Sequence, residues 1–167
     1  MSIIHLECKP DEKLAMKLGI TRKQIEHHNG KSRVYAALEK NKNQIGIVDE
    51  DPDPNPDHPK YSYENNLVLI EEQYGIKRFF DEKQGNTVLV LKVKLEDWLI
   101  SVCKNSKINM TKPPYSLPNK GNSLHNVIND RLPAYEKLLD DLLTKKSIPL
   151  LTLKAWLMPK KNSSKKV

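Results

Sequence analysis

Ile45-Gly46-Ile47-Val48-Asp49-Glu50-Asp51 is a short apolar run that ends abruptly in carboxylates. The apolar part, residues 44–48, is short and β-branched, which is typical of a strand covered on both faces in a sheet with helices around it. Ligands bind to such sheets beyond the carboxyl ends of the strands. Because Asp49 and Asp51 are two residues apart, they point to the same side of an extended chain, whereas Glu50 points away. The stretch therefore predicts a buried strand that delivers two carboxylates to one edge of a sheet.

These carboxylates have two possible interpretations: a metal site or an acidic turn. Carboxylates a few ångströms apart repel and raise each other's pKa unless a hard cation such as Mg²⁺ lies between them. The alternative is an acidic turn after the strand, because aspartate and proline are ordinary turn residues. The segment alone does not choose between a metal site and a turn.

Length and composition favour one ordinary globular domain. The chain has 167 residues, of which 38% are hydrophobic and 29% charged, enough for a single core. We predict one domain over residues 1–157 and a basic flexible tail over residues 158–167. No apolar run reaches the roughly 18 to 20 residues of a membrane span, and the N-terminus lacks the pattern of a secretory signal. Since the two cysteines, Cys8 and Cys103, match no disulfide framework or paired metal-ligand spacing, we expect a cytoplasmic protein.

The net charge of +7 is unevenly distributed. Residues 154–167 carry five lysines and no acid, residues 104–122 carry four lysines and no acid, and residues 49–57 hold five carboxylates without lysine or arginine. A metal-dependent enzyme that acts on a polyanion needs lysines for phosphates and carboxylates for the ion. The tail by itself is more typical of a frayed terminus. We therefore consider nucleic acid as a partner. The candidate phosphate contacts are Lys31, Lys104 and Lys107.

The order of elements in the first third of the chain predicts the fold class. Residues 3–7 form a strand candidate, and Pro10-Asp11-Glu12 begins a short helix that Gly19 ends. A weak strand at 24–28, a turn and a helix at 33–40 then lead into the acidic strand. Strand-helix-strand-helix-strand favours an α/β sheet with parallel crossovers.

The remainder of the chain predicts more strands and then helices. The loop at 52–59 contains four prolines, which excludes a helix or a central strand. The C-terminal helices form an extension to the sheet, and a proline-rich loop at 113–122 precedes them. Predicted strands lie at 66–71, 76–80 and 86–93, and predicted helices lie at 95–103, 123–129, 133–145 and 149–157.

A glutamate ends the first strand (Glu7), an acid begins the next helix (Asp11), and Asp49-Glu50-Asp51 ends a later strand. This order resembles the TOPRIM domain of topoisomerases, primases, RNA-maturation nucleases and nucleases of phage-defence systems. The resemblance covers about residues 1–55. It implies a compact, mainly parallel, Rossmann-related sheet flanked by helices. It also implies that Glu7 transfers a proton or binds metal, and that Asp49 and Asp51 hold Mg²⁺.

The chemistry of phosphoryl transfer supplies a separate argument for the same residues. Divalent ions that neutralise phosphate and activate water need several carboxylates from different strand ends. Glu7, Asp49 and Asp51 meet this requirement, and Asp53 is a possible fourth ligand. Glu96-Asp97 also follows a strand, although acids favour the first turn of any helix because of its dipole.

Two other motifs favour simpler interpretations. Glu26-His27-His28 looks like a metal cluster, but adjacent histidines on a strand point to opposite faces, so we predict a surface pair. Gly30-Lys31-Ser32 looks like the end of a phosphate-binding P-loop. Since position 25 is isoleucine and not the required glycine, we predict a turn there.

The resemblance has two departures. Cys8 follows Glu7 where the family commonly has glycine, and Pro52-Asp53-Pro54 stands where the family tends to have glycine. We interpret Cys8 as a buried core residue. Two hypotheses remain: a nuclease or related phosphotransfer enzyme that depends on Mg²⁺ or Mn²⁺, and a catalytically inactive TOPRIM-like module that binds a protein partner.

Overall fold

A computed structural model describes residues 2–51 and 61–159. Within these ranges the chain forms a six-stranded sheet with helices on both faces. The strands are β1 (Ile4–Leu6), β2 (Ile25–His27), β3 (Ile45–Asp49), β4 (Leu67–Gln73), β5 (Ile76–Asp81) and β6 (Asn86–Leu91). The helices are α1 (Lys9–Lys17), α2 (Lys31–Glu39), α3 (Leu95–Asn105), α4 (Gly121–Val127), α5 (Leu132–Thr144) and α6 (Ile148–Leu157).

The sheet is mixed, with the strand order β2-β1-β3-β6-β5-β4. The first four strands in this order are parallel, whereas β5 and β4 run antiparallel to their neighbours. Short connections require antiparallel pairing, and the two-residue turn Tyr74-Gly75, with positive φ at both positions, joins β4 to β5. The predicted α/β class with crossover-linked parallel strands is confirmed for β1, β2 and β3.

Each face of the sheet packs against its own hydrophobic core. The larger core contains Ile45 and Ile47 of β3 together with buried side chains of α1, α3, α5 and α6. The smaller core contains Val48 of β3 together with Val34 and Leu38 of α2. Because both faces are covered, successive residues of β3 are apolar, as expected for a strand buried on both sides.

Gly46 allows α2 to approach β3 closely. A Cβ at this position would lie 2.9 Å from Leu38 Cδ1 and 3.2 Å from Val34 Cγ1. We expect Gly46→Ala to lower the free energy of unfolding by about 1–3 kcal/mol, because an added methyl group overpacks a filled core. Urea unfolding measures this change. In a Leu38→Ala background the cost of Gly46→Ala should fall, and an equal cost in both backgrounds would contradict the packing argument.

Several predicted boundaries were wrong by a few residues. Helix α2 begins at Lys31, two residues before the predicted start, so that Lys31 and Ser32 lie in its first turn. Helix α1 begins at Lys9, and Pro10 occupies its first turn, where its missing N–H is not needed. The loop predicted at 52–59 and most of the predicted tail, residues 160–167, lie outside the described residues. No helix in residues 2–51 and 61–159 is both long and apolar enough to cross a membrane.

Candidate functional site

The carboxyl ends of β1 and β3 lie at a reversal of strand order, and the edge of the sheet between them is here called the crevice. From β1 the chain passes through α1 to β2 on one side, and then through α2 to β3 on the other side. Helices α1 and α2 pack against opposite faces of the sheet. Ligands of open α/β sheets bind in crevices at such reversals. Glu7 directly follows β1 and Asp49 ends β3, so both lie at this crevice.

Glu7 and Asp49 are brought together as predicted. The backbone N–H of Asp49 donates a hydrogen bond to Glu7 Oε2 at 2.8 Å. The N–H of Leu95, in the first turn of α3, donates to Asp49 Oδ1 at 2.9 Å. Each carboxylate therefore has one backbone partner, and the three elements β1, β3 and α3 meet through these two side chains.

Asp11, in the first turn of α1, is the buried member of a group of acids in which Glu7 and Asp49 are partly exposed. Its side chain is only 1% exposed, and its Oδ1 has no hydrogen-bond partner among the described residues. Burial raises the pKa of Asp11 to about 7, and the charges of Glu7 and Glu96 add to the rise. Burial, followed by repulsion from Asp11 and Glu7, raises the pKa of Asp49 to about 9. Burial and mutual repulsion thus favour the protonated forms of Asp11 and Asp49, whereas a bound cation would favour the ionised forms.

Glu7 belongs to the same electrostatic group. Burial raises its pKa, the hydrogen bond from Asp49 opposes that rise, and the charge of Asp51 adds to it. Asp11 was noted from the sequence only as part of the TOPRIM resemblance and not as a site residue. An acid in the first turn of a helix is explained equally well by the helix dipole, so no local pattern beyond that resemblance indicated a role for Asp11 in the site.

Asp51 reaches the cluster by a different backbone path from the one predicted. The strand ends at Asp49, and Asp51 is exposed with φ of +42°. The prediction that Asp49 and Asp51 share one side of an extended strand was therefore wrong. The charge of Asp51 nevertheless raises the pKa of both Glu7 and Asp49, which places its carboxylate near them. Asp53 lies outside the described residues.

Lys31 places a positive charge at the same end of the sheet. Its Nζ donates a hydrogen bond to the carbonyl oxygen of Glu50 at 3.1 Å and lies 4.0 Å from Glu64. Its charge lowers the pKa of Glu7. The Glu50 side chain forms an ion pair with Lys77 at 2.7 Å, which separates it from the carboxylate cluster, as predicted. Lys31 is thus a cation beside the acids.

The other two candidate phosphate contacts lie elsewhere. Lys104 is in the last turn of α3, and Lys107 follows that helix. Asp49 contacts the opposite end of α3 at Leu95, and nine residues of helix span about 14 Å. Lys104 and Lys107 therefore do not flank the carboxylates directly.

The interpretation of Cys8 as a buried core residue was wrong. Cys8 is only partly buried and lies at the N-terminus of α1 beside Asp11, outside the hydrophobic core. Glu96 is also close to these acids: it is 4% exposed, and its charge raises the pKa of both Asp11 and Asp49. Its carboxylate also lies 3.4 Å from His125 Nδ1.

A second group of polar side chains lies on β1 and β2. His5 Nδ1 lies 2.9 Å from His28 Nε2 and 3.3 Å from Glu26 Oε2. The predicted surface pair of histidines was wrong for His28, which stacks on the buried His5, whereas exposed His27 contacts the carbonyl oxygen of Glu7 at 3.2 Å. The alternation rule missed this group because the third member, His5, comes from another strand.

These two groups differ in their geometry and in the ions they suit. Among the described residues, His5, Glu26 and His28 form the one set of three potential ligands whose donor atoms all lie within 4.8 Å of one another. The carboxylates at the crevice are more widely spaced. Oxygen ligands suit hard cations, and imidazole suits transition metals. No family model, curated protein or solved structure matches this chain at a significant level.

Proposed function

We propose that this chain is a nuclease or related phosphotransfer enzyme of TOPRIM type that depends on Mg²⁺ or Mn²⁺ and acts on nucleic acid. The observation that carries the proposal is Asp11, a fully buried carboxyl group with one unpartnered oxygen beside Asp49 and Glu7. Burying repelling acids together is costly unless protons or a cation neutralise them. A hard divalent cation with oxygen ligands fits this donor set.

Asp49 and Asp51 are the residues that would hold the ion, and Asp11 would stabilise it from the buried side. Mg²⁺ in proteins usually binds one or two carboxylates directly and keeps several waters. When bound, the ion neutralises phosphate charge and activates water.

Glu7 is the residue proposed to hold or move a proton. Burial raises its pKa from the ordinary value for glutamate, and a general acid or base works best when its pKa lies near the working pH. The hydrogen bond from Asp49 N–H to Oε2 orients the carboxylate toward the crevice between β1 and β3. Lys31, whose side chain is 11% exposed, would position a phosphate beside these acids.

The sheet supports the TOPRIM relation through its topology. The strands that end in the two motifs, β1 and β3, are parallel neighbours with Leu6 opposite Ile47. Glu7 and Asp49, at the ends of these strands, therefore lie at the same edge of the sheet, which is the arrangement that the resemblance implies.

Calorimetric titration of the full chain with Mg²⁺ and Mn²⁺ tests the proposal. We expect saturable binding in the wild type and at least a tenfold weaker affinity in Asp49→Asn, because the variant removes a charged ligand. Exposed Glu82, at the far end of the sheet in the β5–β6 turn, supplies the matched control Glu82→Gln. Cleavage of labelled DNA and RNA with and without EDTA is measured in parallel. Absence of binding for both ions in the wild type would contradict the proposal.

Two observations favour the alternative of an inactive TOPRIM-like binding module. Glu7 and Asp49 both accept backbone hydrogen bonds, so their carboxylates have structural partners without an ion. The edge strand β4 also exposes the apolar residues Val68, Leu69 and Ile70 by 50%, 48% and 49%, a surface suited to a protein partner. Under this alternative Asp49→Asn changes stability, and neither ion binds.

A further inference from the structure

We propose that His5, Glu26 and His28 form a Zn²⁺ site that is separate from the carboxylate cluster. The donors are His5 Nδ1, Glu26 Oε2 and His28 Nε2. Two imidazoles and one carboxylate form a donor set that suits a divalent transition metal, whereas Mg²⁺ prefers oxygen ligands alone. The site does not depend on the proposed phosphotransfer activity.

The donor spacing matches tetrahedral coordination. Zn²⁺ binds nitrogen and oxygen at about 2.0–2.2 Å, so two donors of a tetrahedral site lie about 3.3–3.5 Å apart. The three donor pairs here are separated by 2.9 Å (His5 to His28), 3.3 Å (His5 to Glu26) and 3.8 Å (His28 to Glu26). These distances bracket the required value, and rotation of the two imidazole rings, whose centroids lie 5.1 Å apart, would turn their lone pairs from each other toward one ion.

Gln44 orients His5 as a ligand. His5 Nε2 lies 2.5 Å from Gln44 Oε1, and because an amide oxygen only accepts, Nε2 carries the proton and Nδ1 presents its lone pair. Histidine ligands of metals usually donate their second N–H in this way. Without an ion, the Nε2–H of a neutral His28 donates a hydrogen bond to this lone pair at 2.9 Å, so Zn²⁺ would take the place of that proton and require the other tautomer of His28.

The strands place the three ligands so that one side of the site is buried and the other side is open to solvent. His5 is paired with Glu26 across β1 and β2, and His5 is 1% exposed whereas the Glu26 side chain is 57% exposed. The ion would therefore have a fixed inner ligand, a path from solvent, and room for water as the fourth ligand. Since β2 is an edge strand of only three residues, Zn²⁺ would tie it to the rest of the sheet.

Calorimetry with Zn²⁺ on the tag-free full chain tests the site. We expect one ion per chain in the wild type, and at least tenfold weaker binding in both His28→Gln and Glu26→Gln. His27→Gln is the matched control, because His27 neighbours the site but contacts Glu7 and not His5. Gln44→Ala should weaken binding by roughly 10- to 100-fold, the usual effect of losing a partner of a metal ligand.

Two further measurements separate this site from the carboxylates. Co²⁺ in place of Zn²⁺ should give the visible absorption of a tetrahedral ion, and that absorption should persist in Asp49→Asn and disappear in His28→Gln. Zn²⁺ binding that is equal in wild type and His28→Gln, or equally weakened in His27→Gln and His28→Gln, would overturn the proposal. Absence of Zn²⁺ binding in the wild type would also overturn it, whatever the outcome with Mg²⁺.

Discussion

Glu7→Gln is expected to slow nucleic-acid cleavage by roughly 10²–10⁴-fold, the range that general acid–base catalysis contributes. Glutamine cannot exchange a proton with the reacting group. Its amide oxygen can still accept the hydrogen bond that Asp49 N–H donates to Oε2 at 2.8 Å in the wild type, so the strand ends stay together. Single-turnover rates on labelled DNA and RNA with Mg²⁺ measure the effect, which rests on the proposed function.

Glu82→Gln is the matched control for this substitution, since the same chemical change is made at an exposed site. Its cleavage rate and melting temperature should equal those of the wild type. The Mn²⁺ affinity of Glu7→Gln then separates two roles of Glu7. A lost rate with unchanged affinity identifies proton transfer, and loss of both identifies a metal ligand. A wild-type rate in Glu7→Gln would contradict either role.

Asp11→Asn is expected to change the free energy of unfolding of the metal-free protein in a pH-dependent way. At pH 8 the change should be more stabilising than at pH 4, by about 4 kcal/mol. The pKa of Asp11 rises from the ordinary 3.8 to about 7 in the folded protein, mainly through burial. Each pH unit between the folded and unfolded pKa values corresponds to about 1.4 kcal/mol. Asparagine has a similar shape and no charge, so the folded variant does not bury an ionised group and avoids the loss of hydration free energy that this causes.

The direction follows from the proton balance of Asp11. Between about pH 4 and pH 7 the folded protein retains a proton that the unfolded chain has lost. The contribution of this proton to the free energy of unfolding is fully present below pH 4 and is lost as the pH rises through 7. Urea unfolding of both proteins in EDTA at several pH values measures the difference. Parallel stability profiles for wild type and Asp11→Asn would contradict the assignment.

Added metal ion connects this stability difference to the proposed function. If Mg²⁺ or Mn²⁺ binds beside Asp11 and Asp49, it should stabilise the wild type more at pH 8 than at pH 5, because the carboxyl groups must lose protons to bind it. The stabilisation should follow the law of mass action with ion concentration. A Gly46→Ala variant, altered in packing away from the acids, should respond to the ion as the wild type does.

The strand at β3 and its acids were predictable because the relevant signals are local. A short β-branched run followed by Asp49 indicates a buried strand and its end within a few residues. The position of Asp51 was not predictable in the same way, since the chain leaves the extended conformation after the strand and Asp51 adopts φ of +42°. Side-chain direction past a strand end depends on the turn, which alternation does not describe.

Residues that join a site from separate segments were harder to identify. Asp11 and Glu96 look like ordinary acids in first helical turns, and only the packing of α1 and α3 against the sheet buries them beside Asp49. His5 is likewise unremarkable until the register of β1 and β2 sets it opposite Glu26. These arrangements depend on pairing and packing over distances along the chain that no short motif records.

By itself, the sequence determined the α/β class, the buried β3 strand and the presence of acids at the ends of β1 and β3. Periodicity, composition and turn residues act over a few positions, so these features can be recognised without contacts. The tertiary structure alone shows which acids lie close together and which histidines meet. Burial raises the pKa values of the acids, and strand register sets His5 opposite Glu26, only after distant segments have packed.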